Sequence, residues 1–203
     1  MDDTYKTIAA PSMGIYKEKG SKFIALAFPV SGDEEVKLQL DKTRKKYHDA
    51  RHHCYACRLG TAQVSSRSVD DGEPAHTAGA PILGQIQAFQ LTNILVIVVR
   101  YFGGTLLGTG GLIQAYKSAA REALLKATII TISKEKRIRI CYDYGDLNMV
   151  MKIVGEEHVT IHRQQFDRQC IMELGLRAGD AGRVVERLRN VPSIAVSFSE
   201  EQP

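Results

Sequence analysis

Three short stretches hold most of the side chains in this sequence that are capable of chemistry. The first is Ala50-Arg-His-His-Cys-Tyr-Ala-Cys, which carries Arg51, His52, His53, Cys54 and Cys57. The second is Asp70-Asp-Gly-Glu-Pro, followed by His76 and Thr77. The third runs from Val98 through Arg100 and Tyr101 into glycines at 103, 104, 108, 110 and 111. Glycine costs backbone entropy on folding, so five of them within nine positions need a reason.

The glycine run fails the strict phosphate motifs. A P-loop needs a lysine after its last glycine, and Thr109-Gly110 follows Gly108 instead. A dinucleotide fingerprint needs a third glycine where Ile113 stands. What remains is a strand that ends at Arg100, a loop, and a helix that starts near Thr109–Gly111. Free amides at a helix start favour anions, and bare glycines let a ligand approach the backbone, with Arg100 and Tyr101 flanking it. The structural alternative is that the glycines serve close packing and positive φ in a compact turn.

In the acidic stretch, Asp71 and Glu73 are candidates for magnesium coordination or proton transfer, against a plain solvated turn. The histidine–cysteine stretch resembles a metal site only superficially. Read as a strand over 53–59, it turns Cys54 and Ala56 to one face and His53, Tyr55 and Cys57 to the other. A zinc ribbon wants a second Cys-x-x-Cys, whereas Cys141 and Cys170 stand alone. No metal site, cofactor or redox pair is expected, and the cysteines read as small core residues.

Local patterning supplies the elements that would position these groups. Lys22–Val30 reads as a strand, and Ser31-Gly-Asp-Glu-Glu as a helix start whose acidic residues suit the positive end of the dipole. Val36, Leu40, Thr43 and Tyr47 follow at helical spacing. The opposite face carries Lys37, Lys42, Arg44, Lys45 and Lys46, a solvated face or a nucleic-acid contact. Ser65–Pro74 reads as a loop, Ala80–Phe89 as a helix and Ile94–Val99 as a buried strand. Leu112, Tyr116, Ala119, Ala123 and Ala127 form the inner face of a further helix. From about Thr128 the order becomes β-α-β-β-α-β, with strands near 138–142, 159–166, 170–176 and 194–198 and helices over 146–157 and 181–189. This is the split pattern of ferredoxin-like domains. The expected boundary divides residues 1–127 from 128–203.

Composition bounds the rest. The chain has 203 residues, 44% of them hydrophobic and 25% charged, enough for one or two domains with their own cores. No apolar run has the length of a membrane span, and the N-terminus lacks the apolar stretch of a signal peptide, so a cytoplasmic protein without a membrane partner is expected. The whole net charge of +4 lies in the first 127 residues. Such a balance permits a polyanion partner without demanding one.

Taken together and in order, the three stretches resemble the YigZ/IMPACT family. Thr77-Ala-Gly-Ala-Pro-Ile-Leu after the acidic turn and Gly20-Ser-Lys-Phe-Ile-Ala near the start strengthen the match, which covers roughly residues 5–125. The resemblance implies an α+β chain: a first domain like domain 2 of ribosomal protein S5, then a ferredoxin-like domain similar to the C-terminal domain of an elongation factor. Eukaryotic members regulate translation by binding a ribosome-associated activator of a starvation-responsive kinase. They use an extra N-terminal domain for this, and the family motif here starts almost at residue 1, so that role is not carried over. The resemblance also implies that the three stretches meet in one surface groove.

Two functions compete at that groove. In one, it binds RNA or the ribosome in a translation-linked role, with Lys42, Arg44, Lys45, Lys46 and Arg100 on phosphates and the glycine-loop amides adding hydrogen bonds. Tyr55 and Tyr101 are then the candidates for base stacking. In the other, an enzyme acts on a small phosphorylated or peptide-like substrate, with His52 or His53 as acid or base, Asp71 and Glu73 holding magnesium, and the loop holding phosphate. Glu73→Gln is expected to separate them, sparing RNA affinity and abolishing turnover. The charge balance favours binding.

Overall fold

The computed structural model describes residues 4–61, 63–167 and 169–198. The chain divides into two compact units, one of Tyr5–Ile132 and one that joins Thr4 to the residues from Ser133 onward.

The first unit is built on a five-stranded sheet. Its strands are β2 (Ser12–Glu18), β3 (Ser21–Pro29), β4 (His52–Leu59), β5 (Ser65–Val69) and β6 (Ile94–Tyr101), in the order β2-β3-β6-β4-β5. Every neighbouring pair is antiparallel. The helices are α1 (Asp33–Lys46), α2 (Gly79–Ala88) and α3 (Gly108–Lys126). A two-stranded sheet joins β1 (Thr4–Ile8) to β7 (Ile129–Ser133). Because β7 returns to β1, the first unit extends past the boundary expected at residue 127.

Strand β6 explains why Ile94–Val99 carries no polar residue. It sits at the centre of the sheet, and both of its faces are covered. Ile94, Val96 and Val98 pack with Phe23, Ala25, Cys54 and Ala56 against α2 and α3. Leu95, Ile97 and Val99 pack with Ile24 and Cys57 against Val36 and Leu40 of α1. Alternation along β4 separates Cys54 from Cys57, one in each cluster. Both thiols are raised by burial, Cys54 to about 12, so neither is a nucleophile near neutral pH.

One segment departs from its sequence reading. Ser65–Val69, expected as loop, is the edge strand β5, paired with β4 in register Tyr55↔Val69 to Leu59↔Ser65. Its polar side chains follow from exposure at a sheet edge; α2 meets only its end, where Gly79 lies against the backbone of Ser68 and Val69.

The second unit runs β8 (Glu135–Tyr142), α4 (Leu147–Glu156), β9 (Thr160–Phe166), β10 (Cys170–Arg177), α5 (Ala181–Arg189) and β11 (Ala195–Phe198). Its sheet has the order β11-β8-β10-β9, antiparallel throughout. Ile138, Ile140, Met172 and Leu174 face the two helices, with Val150, Val154, Val184 and Leu188 opposite. On the helical side, Arg183 pairs with Glu157 and Asp180, and Arg187 with Glu156 and Glu157. Among the described residues, no helix is long and apolar enough to cross a membrane.

Candidate functional site

The three stretches converge at one end of the five-stranded sheet. Strand pairing places His52 opposite Arg100, and Lys22 opposite Tyr101. The segment 70–77 folds over this end and is fixed by its own carboxylates.

Asp70 caps a helix that does not start with a capping residue. Ala78, at the N-cap of α2, has no polar side chain to offer. Asp70, eight positions earlier, accepts hydrogen bonds from the amides of His76 (2.8 Å), Ala78 (3.0 Å) and Gly79 (2.8 Å). Burial pushes its carboxyl up, but the Gly79, His76 and Ala78 amides outweigh that and hold it below its ordinary value. The group therefore contributes stability above its unfolded pKa of about 3.9, and that contribution is lost as pH falls through the lower folded value. Asp70→Ala should cost about 1–2 kcal/mol at neutral pH, read by urea unfolding. The variant should also lose part of the wild type's decline in stability below about pH 4.

Asp71 stands at φ 43° and Gly72 at φ 86°, so the turn passes through two consecutive left-handed residues. Left-handed Asp71 is held by hydrogen bonds at both its carboxylate and its carbonyl. Its carboxylate accepts the His53 amide at 2.7 Å, and its carbonyl accepts His52 Nδ1–H at 2.9 Å. Arg44 lies 3.9 Å from the same carboxylate. His53 is buried and donates from Nε2 to the Tyr47 carbonyl at 3.1 Å, tying in the end of α1. Both histidines thus use a ring nitrogen on a backbone carbonyl.

Glu73 and Arg100 form an ion pair of 2.6 Å whose side chains are only 3% and 7% exposed. The same glutamate oxygen accepts from Tyr116 Oη at 2.8 Å. Cys54 Sγ lies 3.3 Å from that hydroxyl and donates to the Asp70 carbonyl at 2.9 Å. The Arg100 guanidinium lies between two rings, with Cζ 5.5 Å from the Phe23 centroid and 5.6 Å from that of Phe102. Arg100 is accordingly not an open phosphate contact, because burial and Glu73 occupy it. Asp70, Asp71 and Glu73 are likewise turned onto amides and Arg100 instead of converging on a cation. Among the described residues, no three His, Cys, Asp or Glu side chains are grouped to hold a metal ion. Glu73→Gln would disturb this buried pair, so it cannot separate binding from turnover.

The tyrosines expected to stack are also engaged. Tyr55 packs half-buried on the α1 side of the sheet. Tyr101 donates its hydroxyl to Asp49 at 2.7 Å, and that bond pushes the phenol up to about 12. Phe102, which was not among the expected site residues, presents an exposed ring at this end. No local signal marks it, because its exposure follows from where β6 stops.

The glycines fall into three groups. Gly103 is a packing residue: a Cβ there would run into the backbone of Gly20 and Ser21, and its amide donates to Ser21 Oγ at 3.1 Å. Gly104 (φ 86°) and Gly108 (φ 68°) supply left-handed turns. Gly110 has open space around its missing Cβ, in the exposed first turn of α3, and a Cβ at Gly111 would meet only the Leu107 side chain. That turn carries no acidic residue, and its N-cap, Leu107, offers no side-chain bond. Packing therefore predicts that Gly103→Ala destabilises by about 1–3 kcal/mol. Gly110→Ala should be neutral or stabilising by up to about 1 kcal/mol. If the bare turn serves a ligand, Gly110→Ala should weaken ligand binding while thermal melting shows an unharmed fold.

Cations ring this end without partners. Lys19 and Lys22 flank the β2–β3 turn, and Arg51 precedes β4; among the described residues none makes an ion pair. Lys42, Lys45 and Lys46 are exposed on α1, with Lys46 Nζ 5.4 Å from the Tyr47 ring centroid. Arg44, Lys45 and Lys46 also suit the negative end of the α1 dipole, a structural reason for their presence.

The Impact N-terminal domain model matches residues 19–124. An IMPACT family member of Haemophilus influenzae is 38% identical over 161 residues, covering 78% of each chain. The IMPACT family member YigZ of Escherichia coli is 32% identical over 182 residues, covering 89% of each. A crystal structure of a hypothetical protein superposes over the whole of both chains with TM-score 0.76 at 29% identity.

Proposed function

We propose, since the chain belongs to the IMPACT family, that its first unit is a non-catalytic module that binds RNA, free or within the ribosome, in a translation-linked role. The bound surface is the end of the sheet where β6 stops. The observation that carries this reading is a division of charge. The carboxylates of the 70–73 turn are engaged by amides, Arg44, Arg100 and Tyr116, while among the described residues Lys19, Lys22 and Arg51 outside them make no ion pair. A magnesium-dependent enzyme would need those carboxylates outward. Phosphates would find cations and, at the start of α3, amides with no acidic residue in front of them.

The link to translation is carried over from the family resemblance. We assign the first unit to the folds like domain 2 of ribosomal protein S5, on its sheet with helices on both faces. We assign the second to the ferredoxin-like folds, on its β-α-β-β-α-β order.

The test is binding of purified protein to short RNA across a salt series. An affinity in the micromolar range or tighter that falls steeply with salt supports the proposal. No binding at low salt overturns it and points to a small-molecule ligand at the glycine loop.

A further inference from the structure

We propose that this surface takes RNA as a single strand, with one unstacked base laid on the Phe102 ring. The inference rests on the RNA-binding reading above and adds the form of RNA and the residue that reads it.

Phe102 is 56% exposed, and Leu106, four residues on, is 83% exposed. Both lie on the loop between β6 and α3, and Gly104, with a Cβ that would meet nothing, leaves the backbone between them bare. More than half of this ring faces solvent, yet a fixed cation lies beside it. The Arg100 guanidinium lies 5.6 Å from its centroid, and Arg100 cannot swing away because Nη1 is paired with buried Glu73 at 2.6 Å. The guanidinium also lies 5.5 Å from the Phe23 centroid, and Phe23 is in edge contact with Tyr116 at 5.1 Å between centroids. Tyr116 closes the circuit by donating to Glu73. The circuit fixes the orientation of one exposed ring. Arg100 is its positioning residue, which explains a buried arginine beside a proposed polyanion surface.

The surroundings select the occupant. Lys19, Lys22 and Arg51 bring positive charge to the same end, which suits phosphates running past the ring. A base face is available for stacking only where the strand is unpaired, since a duplex hides it between neighbours. Charge outside and a fixed ring within is therefore the pattern for single-stranded nucleic acid, with little dependence on sequence.

The chain has no tryptophan, so Phe102→Trp introduces a single indole at the ring position. Three probes of equal phosphate count are titrated: oligouridylate, an abasic strand and an RNA hairpin stem. Oligouridylate should quench the indole strongly, and the abasic strand should not. Phe102→Ala should bind oligouridylate about tenfold more weakly with an unchanged salt slope, while Phe102→Tyr should retain affinity. Arg100→Lys, which keeps the charge beside Glu73, should lose much of the quenching when made in the Phe102→Trp background. Salt-dependent binding with no quenching and no loss in Phe102→Ala would overturn the stacking inference and leave the RNA reading standing. Equal affinity for the stem and the single strand would do the same. Binding of an acidic peptide but no RNA would overturn both.

Discussion

Glu73→Ala should destabilise the first unit by about 3–5 kcal/mol, the largest effect expected of any single substitution at the site. The reason is what it leaves behind. Arg100 is 7% exposed, and its Nε already has no hydrogen-bond partner. Removing the carboxylate strands a buried cation and takes the acceptor from Tyr116 as well. The thermal midpoint should fall by about 10 °C or more. Replacing both partners by apolar residues, as in Glu73→Leu with Arg100→Met, should cost far less than Glu73→Ala alone, because no charge is left unpaired. Urea unfolding of the two single variants and the double variant measures the coupling. Additive effects would show that the pair is not a unit.

The second large effect concerns binding and leaves stability aside. Among the described residues Lys19, Lys22 and Arg51 make no ion pair, so replacing all three by glutamine should change unfolding by no more than about 0.5 kcal/mol. RNA affinity should respond strongly. Each phosphate contact with a single strand contributes about 0.7 to the slope of log affinity against log salt. Losing three should flatten that slope by about 2 and weaken binding about a hundredfold near 0.1 M salt. The same replacement of Lys42, Lys45 and Lys46 separates the helix face from the strand-end face. If the α1 triple variant loses more affinity than the strand-end variant, the RNA path runs along α1 and away from Phe102.

Much of the framework was legible because it is written in local periodicity. The apolar run of β6, the small-residue face of α3 and the helix over 181–189 each follow from a spacing that burial enforces. So does the opposite facing of Cys54 and Cys57. That the three stretches belong together was legible, whereas the contacts among them were not. Which carboxylate meets which amide is decided by chain reversals that no window contains. Asp70 caps a helix eight residues away, and Glu73 meets Arg100 twenty-seven residues away. The acidic turn consequently read as a metal or proton-transfer candidate, while its carboxylates brace the fold. Phe102 went unnoticed for another reason: an aromatic residue in a short loop carries no periodicity that tells an exposed ring from a buried one.

The central claim is that RNA lies on the strand-end surface of the first unit. The most direct measurement is an amide chemical-shift map of the protein with and without oligouridylate. The account predicts shifts concentrated at residues 19–22, 51–52 and 101–111, with the second unit unmoved. The contrary result is shifts concentrated instead on the outer sheet face of the second unit. There Arg137 and Arg139 alternate with buried Ile138 and Ile140 along β8, and Arg163 of β9 pairs with Glu173 of β10. Shifts confined to that face would contradict the claim and leave the glycine loop without RNA as its ligand.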